Sequence, residues 1–327
     1  MYFPSKLLFL SSILFTTFSK SSQAKVAGGD LYISIGKSIN IIDTNFTGSS
    51  APKGSFLYAE EIDGTLTINN AQVTNIDSSD ADAFILTVNS GSLKITDSVF
   101  ENINSPLFLI SEVSALLINN VIANQISCPR SSNSFCLLKA TSLDSLKISN
   151  SSLTNINSNV DLISLSASTD VFLSNVTTQN MLKITQESLI VPDQIFILNA
   201  LHLKNLNINK SDFTRMGFSG IKVKDTNITI QDSTFSNNLK TAKNRLLAQS
   251  TDDSLYASKL REPIQFIVLD TSNSVLNSVS FSDNSLNTLV SGGVTFFLKG
   301  KSSHLTLGDS NSWVRWNSYF HRLYFWE

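Results

Sequence analysis

A twelve-residue segment, SLKITDSVFENI at 92–103, returns as SLKISNSSLTNI at 145–156. Related copies begin at Thr65 (TLTINNAQVTNI), Ala115 (ALLINNVIANQI), Asp170 (DVFLSNVTTQNM), Asn205 (NLNINKSDFTRM) and Asn227 (NITIQDSTFSNN). Fainter copies begin at Ser38, Asn273 and His304. From Ser38 onward, successive copies start 27, 27, 23, 30, 25, 35, 22, 46 and 31 residues apart. Self-similarity at such a period marks a repeat architecture.

Positions 2 and 4 of the unit are apolar, as in Leu93 and Ile95, Leu146 and Ile148, Ile228 and Ile230. This period of two describes a strand with one face inward, whereas a helix would place apolar residues three and four apart. Position 6 is Asn or Asp in most copies: Asp43, Asn70, Asp97, Asn120, Asn150, Asn175, Asp232. Such residues tolerate left-handed backbone and mark a bend. Position 9 is often Phe (Phe46, Phe100, Phe213, Phe235, Phe281), which returns the chain to the core, and position 11 is often Asn. A second apolar burst precedes each unit, for example FILTV at 84–88 and IFIL at 195–198. The connections leave no room for the crossover helices of an open parallel sheet. The expected fold is therefore all-β, a parallel β-helix (solenoid) of about ten coils, with strands stacked at ~4.8 Å and a rod ~45 Å long. Leu66, Leu93, Leu116, Leu146 and Val171 should form one inward column, and Ile68, Ile95, Ile118, Ile148 and Leu173 the next. Stacked Asn side chains should form ladders and stacked Phe rings a continuous core. A β-sandwich is the alternative, but alignable twelve-residue copies are not expected there.

Ser and Asn make up about a quarter of the 327 residues, yet apolar residues reach 42%, which excludes simple disorder. The net charge of −2 and the lack of a basic block argue against nucleic acid as a partner. Residues 1–24, MYFPSKLLFLSSILFTTFSKSSQA, carry Lys6, an apolar run from Leu7 to Phe18, and small residues Ser22 and Ala24 at the end. This is the pattern of a secretory signal peptide cleaved after Ala24. Its removal deletes Lys6 and Lys20 and no acids, taking the net charge from −2 to −4. No later run approaches ~18 apolar residues, so no transmembrane span is expected after it. The chain is thus expected to be secreted or displayed at the cell surface.

In an oxidising compartment Cys128 and Cys136, which flank PRSSNSF, are expected to form a disulfide stapling this loop. Five sequons are possible glycosylation sites: Asn45, Asn150, Asn175, Asn209 and Asn227. Asn150 and Asn175 sit at the bend, where an inward orientation would bar a glycan. The expected domain organisation is a leader at 1–24, a β-helix at 25–312 and an atypical aromatic tail at 313–327. A charged insertion at 239–262 interrupts the β-helix and accounts for the spacing of 46. It reads as a solvated excursion or, less simply, a partner-contact loop. All three Trp fall in the tail. The tail reads as residues foreign to the fold, as a cap over the last coil, or as an interfacial membrane contact.

With these repeats, the chain resembles the right-handed parallel β-helix proteins of the pectin-lyase-like superfamily over about residues 30–310, and its segments FSNN at 235–238, FSDN at 281–284 and GGV at 292–294 carry a closer likeness. Within it, the likeness is to the repeats of chlamydial polymorphic outer-membrane proteins and of ciliate surface proteins. The resemblance implies that polysaccharide lyase or hydrolase activity must be weighed. Inverting hydrolysis needs two carboxylates roughly 6.5–9.5 Å apart. Polygalacturonases of this superfamily carry Asn-Thr-Asp, Asp-Asp, Gly-His-Gly and Arg-Ile-Lys motifs. Here the single Asp-Asp pair, Asp252–Asp253, lies in the charged insertion, and neither Gly-His-Gly nor Arg-Ile-Lys occurs. His202, His304 and His321 are isolated, and the acids Glu60, Glu61, Asp80, Asp82, Asp97 and Asp232 are scattered. No catalytic, cofactor-binding or metal-ligating residue is assigned, and no cofactor is expected. The expected function is a non-catalytic scaffold or adhesin contacting carbohydrate or surface proteins. A polysaccharide-active enzyme is the alternative.

Overall fold

The structure, a computed structural model, describes residues 13–14, 17–19, 31–33, 37–48, 56–77, 83–128, 135–158, 160–183, 196–216, 219–236, 265–270, 273–282, 294–298 and 304–307. These form a parallel β-solenoid in which every strand pairs in parallel with its equivalent in the neighbouring coil. Each coil has three walls. Wall A comprises Leu31–Ile33, 57–60, 85–88, 108–111, 138–141, 163–166, Phe196–Leu201, Ser219–Lys224, Gln265–Asp270 and Val294–Leu298. Wall B follows at Ile39–Ile42, 65–69, 92–96, 115–119, 145–149, 170–174, Asn205–Asn209, Asn227–Gln231, Asn273–Asn277 and His304–Leu307. Wall C begins at Asn45–Thr47 and Gln72–Asp77 and ends at Ser280–Ser282. Among the described residues no helix is long and apolar enough to cross a membrane.

The period-two pattern sets which side chains fill the rod. Leu66, Leu93, Leu116, Leu146 and Val171 stack in register and are buried, as are Ile68, Ile95, Ile118, Ile148 and Leu173. Between them on the same strands, Lys94, Lys147 and Phe172 face solvent. A charge at an inward position would lose its water with no partner, which is why these columns are apolar throughout.

The aromatic core differs from a simple column. On wall C the inward positions run Phe46, Val73, Phe100, Ala123, Leu153, Thr178, Phe213 and Phe235. Rings on wall A or just before it partly fill in for wall C: Phe46, Phe56, Phe84, Phe100 and Phe108 form a run with centroid spacings of 3.9, 5.2, 6.2 and 5.2 Å. At Ala123 the replacement is incomplete. A cavity of about 30 Å³ remains beside it, lined by Phe108, Leu138, Ile148, Leu153 and Ile163. Its wall is apolar, so it offers water no partners.

The Cys128–Cys136 disulfide is present, with an S–S distance of 2.07 Å and a Cα–Cα distance of 5.8 Å. It joins the end of wall C in one coil, Ile122–Cys128, to the strand Phe135–Thr141 that opens the next. Both cysteines are buried. The charged insertion at 239–262, with Asp252 and Asp253, and the tail at 313–327 lie outside the described residues. So do most of residues 1–24, 13–14 and 17–19 excepted.

Candidate interaction surface

The surface of the rod is organised by its bends. Between walls B and C two residues make the turn, and the first has positive φ: Asp43, Asn70, Asp97, Asn120, Asn150, Asn175, Lys210, Asp232 and Ser278, all between 48° and 54°. This conformation is strained for most L-residues but accessible to Asn and Asp. It points the bend N–H along the rod, so Asn70, Asp97 and Asn120 each donate to the next coil's carbonyl at 3.1 Å. The bend side chain itself projects outward. Asn150 and Asn175 are therefore exposed, which corrects the inward orientation considered for them. The residue after the bend, such as Ser98, Val121 or Ser151, is the one that turns into the core.

Once outside, the amides bond to one another. Asn70 Nδ2 donates to Asp43 Oδ1 at 2.6 Å, and Asn69 and Asn120 donate to the two carboxylate oxygens of Asp97 at 3.0 and 2.7 Å. Farther along, Asn150 donates to Asn119 and Asn175 to Asn150, at 3.0 and 2.9 Å. A second ladder follows a bend inside wall C, where Asn75, Asn102, Gln125, Asn155 and Asn180 also have positive φ. There Asn102 donates to Asn75 at 2.6 Å and Asn180 to Asn155 at 3.2 Å. Among the described residues the Asn ladders thus follow these two bends on the outside.

A third left-handed bend, between walls A and B, was not legible in the sequence. It is made by Glu61, Asn89, Glu112, Ser142, Ala167, His202 and Asp225, seven positions of six residue types. The only usable signal was the apolar or small hydroxyl residue that follows each of them and is buried: Ile62, Ser90, Val113, Leu143, Ser168, Leu203, Thr226. The sequence reading also missed what the buried hydroxyls do. Ser151 Oγ donates to the carbonyl of Ser149 at 2.7 Å and accepts the N–H of Val121 from the preceding coil at 3.2 Å. Ser98, Ser211, Ser233, Ser168 and Thr226 repeat this relay. Each satisfies a buried backbone donor that would otherwise be orphaned. Part of the high Ser content is therefore structural.

Three polar clusters stand on the walls. Tyr32 and Tyr58 stack at 5.3 Å, and their hydroxyls donate to the two oxygens of Glu60 at 2.6 and 3.0 Å. The bond to the Glu60 carboxylate, which a phenolate could not make, is the main reason that the Tyr32 hydroxyl is pushed up to about 12. On wall A, burial raises the Asp161 carboxyl above its usual range. The Phe196 N–H at 2.8 Å, the Asn199 amide at 2.7 Å and the Lys222 charge oppose that rise. His202 lies 3.1 Å from Asp225, with both side chains well exposed. His304 is on the wall B strand His304–Leu307, and His321 is outside the described residues. Among the described residues no three His, Cys, Asp or Glu side chains are grouped to hold a metal ion.

Of the sequon asparagines, Asn45, Asn150, Asn175 and Asn227 are exposed and Asn209 is half-buried. Asn150 and Asn175 are held in the ladder, and the Asn227 amide donates to the Lys204 carbonyl at 3.1 Å.

The connections differ from the bends. From wall C of one coil to wall A of the next, the stretch between strands runs from two residues (159–160, 217–218) to twelve (184–195) and twenty-eight (237–264). Between walls B and C it never exceeds two. The unequal repeat spacings are therefore absorbed almost entirely at one edge of the rod. In comparisons with known proteins no family model matches the chain, and neither does any curated protein or solved structure.

Proposed function

We propose that this chain is a non-catalytic β-helix, secreted or displayed at the cell surface, that acts as a scaffold or adhesin for carbohydrate or protein. We assign it right-handed winding and the pectin-lyase-like type, on the repeat resemblance and on the preference of parallel crossovers for that hand. The leader pattern of residues 1–24 supports secretion. The observation that carries the reading is the placement of every long connection at the wall C to wall A edge. In repeat proteins, insertions mapped to one face are often the binding face, carried on a rigid frame. The two external amide ladders keep that frame regular. Binding of the purified chain to a glycan array and to surface proteins tests the reading. Removing 240–262 should weaken any binding found without unfolding the rod. Release of reducing or unsaturated ends from polygalacturonate, abolished by Asp252→Asn or Asp253→Asn, would instead establish the polysaccharide-active enzyme.

A further inference from the structure

The leader contains a fragment of the repeat. ILFTTFS at 13–19 aligns with IIDTNFT at 41–47, matching Ile13 to Ile41, Thr16 to Thr44 and Phe18 to Phe46. The offset of 28 residues falls within the range of the repeat spacings, 22 to 46. The structure uses this match. Ile13–Leu14 pairs in parallel with Ile39–Ile42, in register Ile13 to Ile41 and Leu14 to Ile42. Thr17–Ser19 pairs with Asn45–Thr47, in register Thr17 to Asn45, Phe18 to Phe46 and Ser19 to Thr47. Ile13–Leu14 and Thr17–Ser19 thus stand as one more partial coil on walls B and C, and Ile41 and Phe46 beneath them are fully buried.

From this pairing we infer that the N-terminal edge formed by Ile39–Ile42 and Asn45–Thr47 is a strand-acceptor site, filled within the intact chain by residues 13–19 and filled by a second copy of the chain once they are removed. Cleavage after Ala24 rests on the secretion proposed above; the pairing itself does not. Losing 13–19 strips the ladder partners from both strands and cover from an apolar end, the state that invites edge pairing. A second copy is the fitting occupant for two reasons. The strand that the edge accepts is itself a piece of this chain's repeat, so another molecule presents the same pattern. The two edge strands, INII and NFT, also carry no charge, so two such edges meet without like-charge repulsion along either strand. Pairing by strand addition supplies main-chain hydrogen bonds in either case.

The test uses the full chain of 327 residues with its leader retained. A Thr17→Cys/Asn45→Cys variant should form an intramolecular crosslink, and amides of 39–47 should resist hydrogen exchange in the unaltered, monomeric protein. An Ile13→Asp/Phe18→Asp variant should lose the part of that protection that 13–19 supply when dilute, the Asp43 N–H keeping its bond to Asn69, and should sediment as a concentration-dependent dimer. Adding Asn45→Lys to it should return the monomer, since a lysine on an edge strand opposes pairing. The inference falls if the crosslink does not form or if 39–47 exchange freely in the unaltered chain. It falls equally if the Asp variant keeps its circular dichroism and remains monomeric at every concentration. Should the Asp variant fail to fold, the crosslink and the exchange of the unaltered chain still decide the intramolecular pairing. For the second copy, the unaltered chain cleaved after Ala24 by signal peptidase must then associate.

Discussion

The bend between walls B and C and the connection from wall C to wall A both turn the chain once per coil, yet they obey opposite rules. The first is never longer than two residues and prefers Asn or Asp at positive φ. The second ranges from two residues to twenty-eight. What separates them is what each must hand on. The B/C bend lies inside the hydrogen-bonded stack: its first N–H bonds to the next coil, its first side chain joins the ladder, and its second side chain enters the core. The connection only has to bring the chain to the next coil, and lengthening a loop costs little, about 0.6 kcal/mol for each doubling.

Five outcomes can break or sharpen this contrast. Deleting Asn150 should be the most damaging, because a one-residue slip sends the inward set of wall C outward. A loss of about 4 kcal/mol or more in urea unfolding is expected; a loss below 1 kcal/mol would mean that the bend is as tolerant as the connection. Cys128→Ser/Cys136→Ser removes the staple across the connection at 129–134 and should lower stability by about 2 kcal/mol, read in the same denaturation. Ser151→Ala leaves the Val121 N–H without its partner and should cost about 1–3 kcal/mol. Ser168→Ala, which orphans the Leu143 N–H behind the third bend, should cost a similar amount and so show that the bends share one mechanism. Removing 240–262 should have the smallest effect, a change of about 1 kcal/mol or less in either direction. A large loss of melting temperature there would give that insertion a structural role.

The two inward columns were readable residue by residue, since alternation is a local property of each strand. The B/C bend was readable too, because Asn and Asp are the residues for which a left-handed bend is least strained. The A/B bend was not. Glu61, Ala167 and His202 adopt the same φ with side chains of no shared chemistry, so the stack imposes the conformation. The strain is offset where the bend N–H reaches the next coil, as Ala167 does to Leu201 at 3.1 Å. The ring run through Phe56, Phe84 and Phe108 was hidden for a related reason. It crosses from wall C to wall A, and a single wall's sequence records only its own column.

By itself the sequence determined the architecture: strands of period two, bends at fixed positions and coils that must stack because each presents the same groups as its neighbours. The disulfide followed from two cysteines flanking one loop. Only the tertiary structure decided which atoms meet across the 22 to 46 residues that separate equivalent positions. That includes the hydroxyls that serve the coil before them, the direction of the ladders, the edge where the insertions gather and the two short strands at 13–14 and 17–19 that stack on the first coil. The physical reason is range. Alternation and bend preference act within a few residues, whereas a buried N–H or an open strand edge is satisfied by whatever the stack brings within about 3 Å of it.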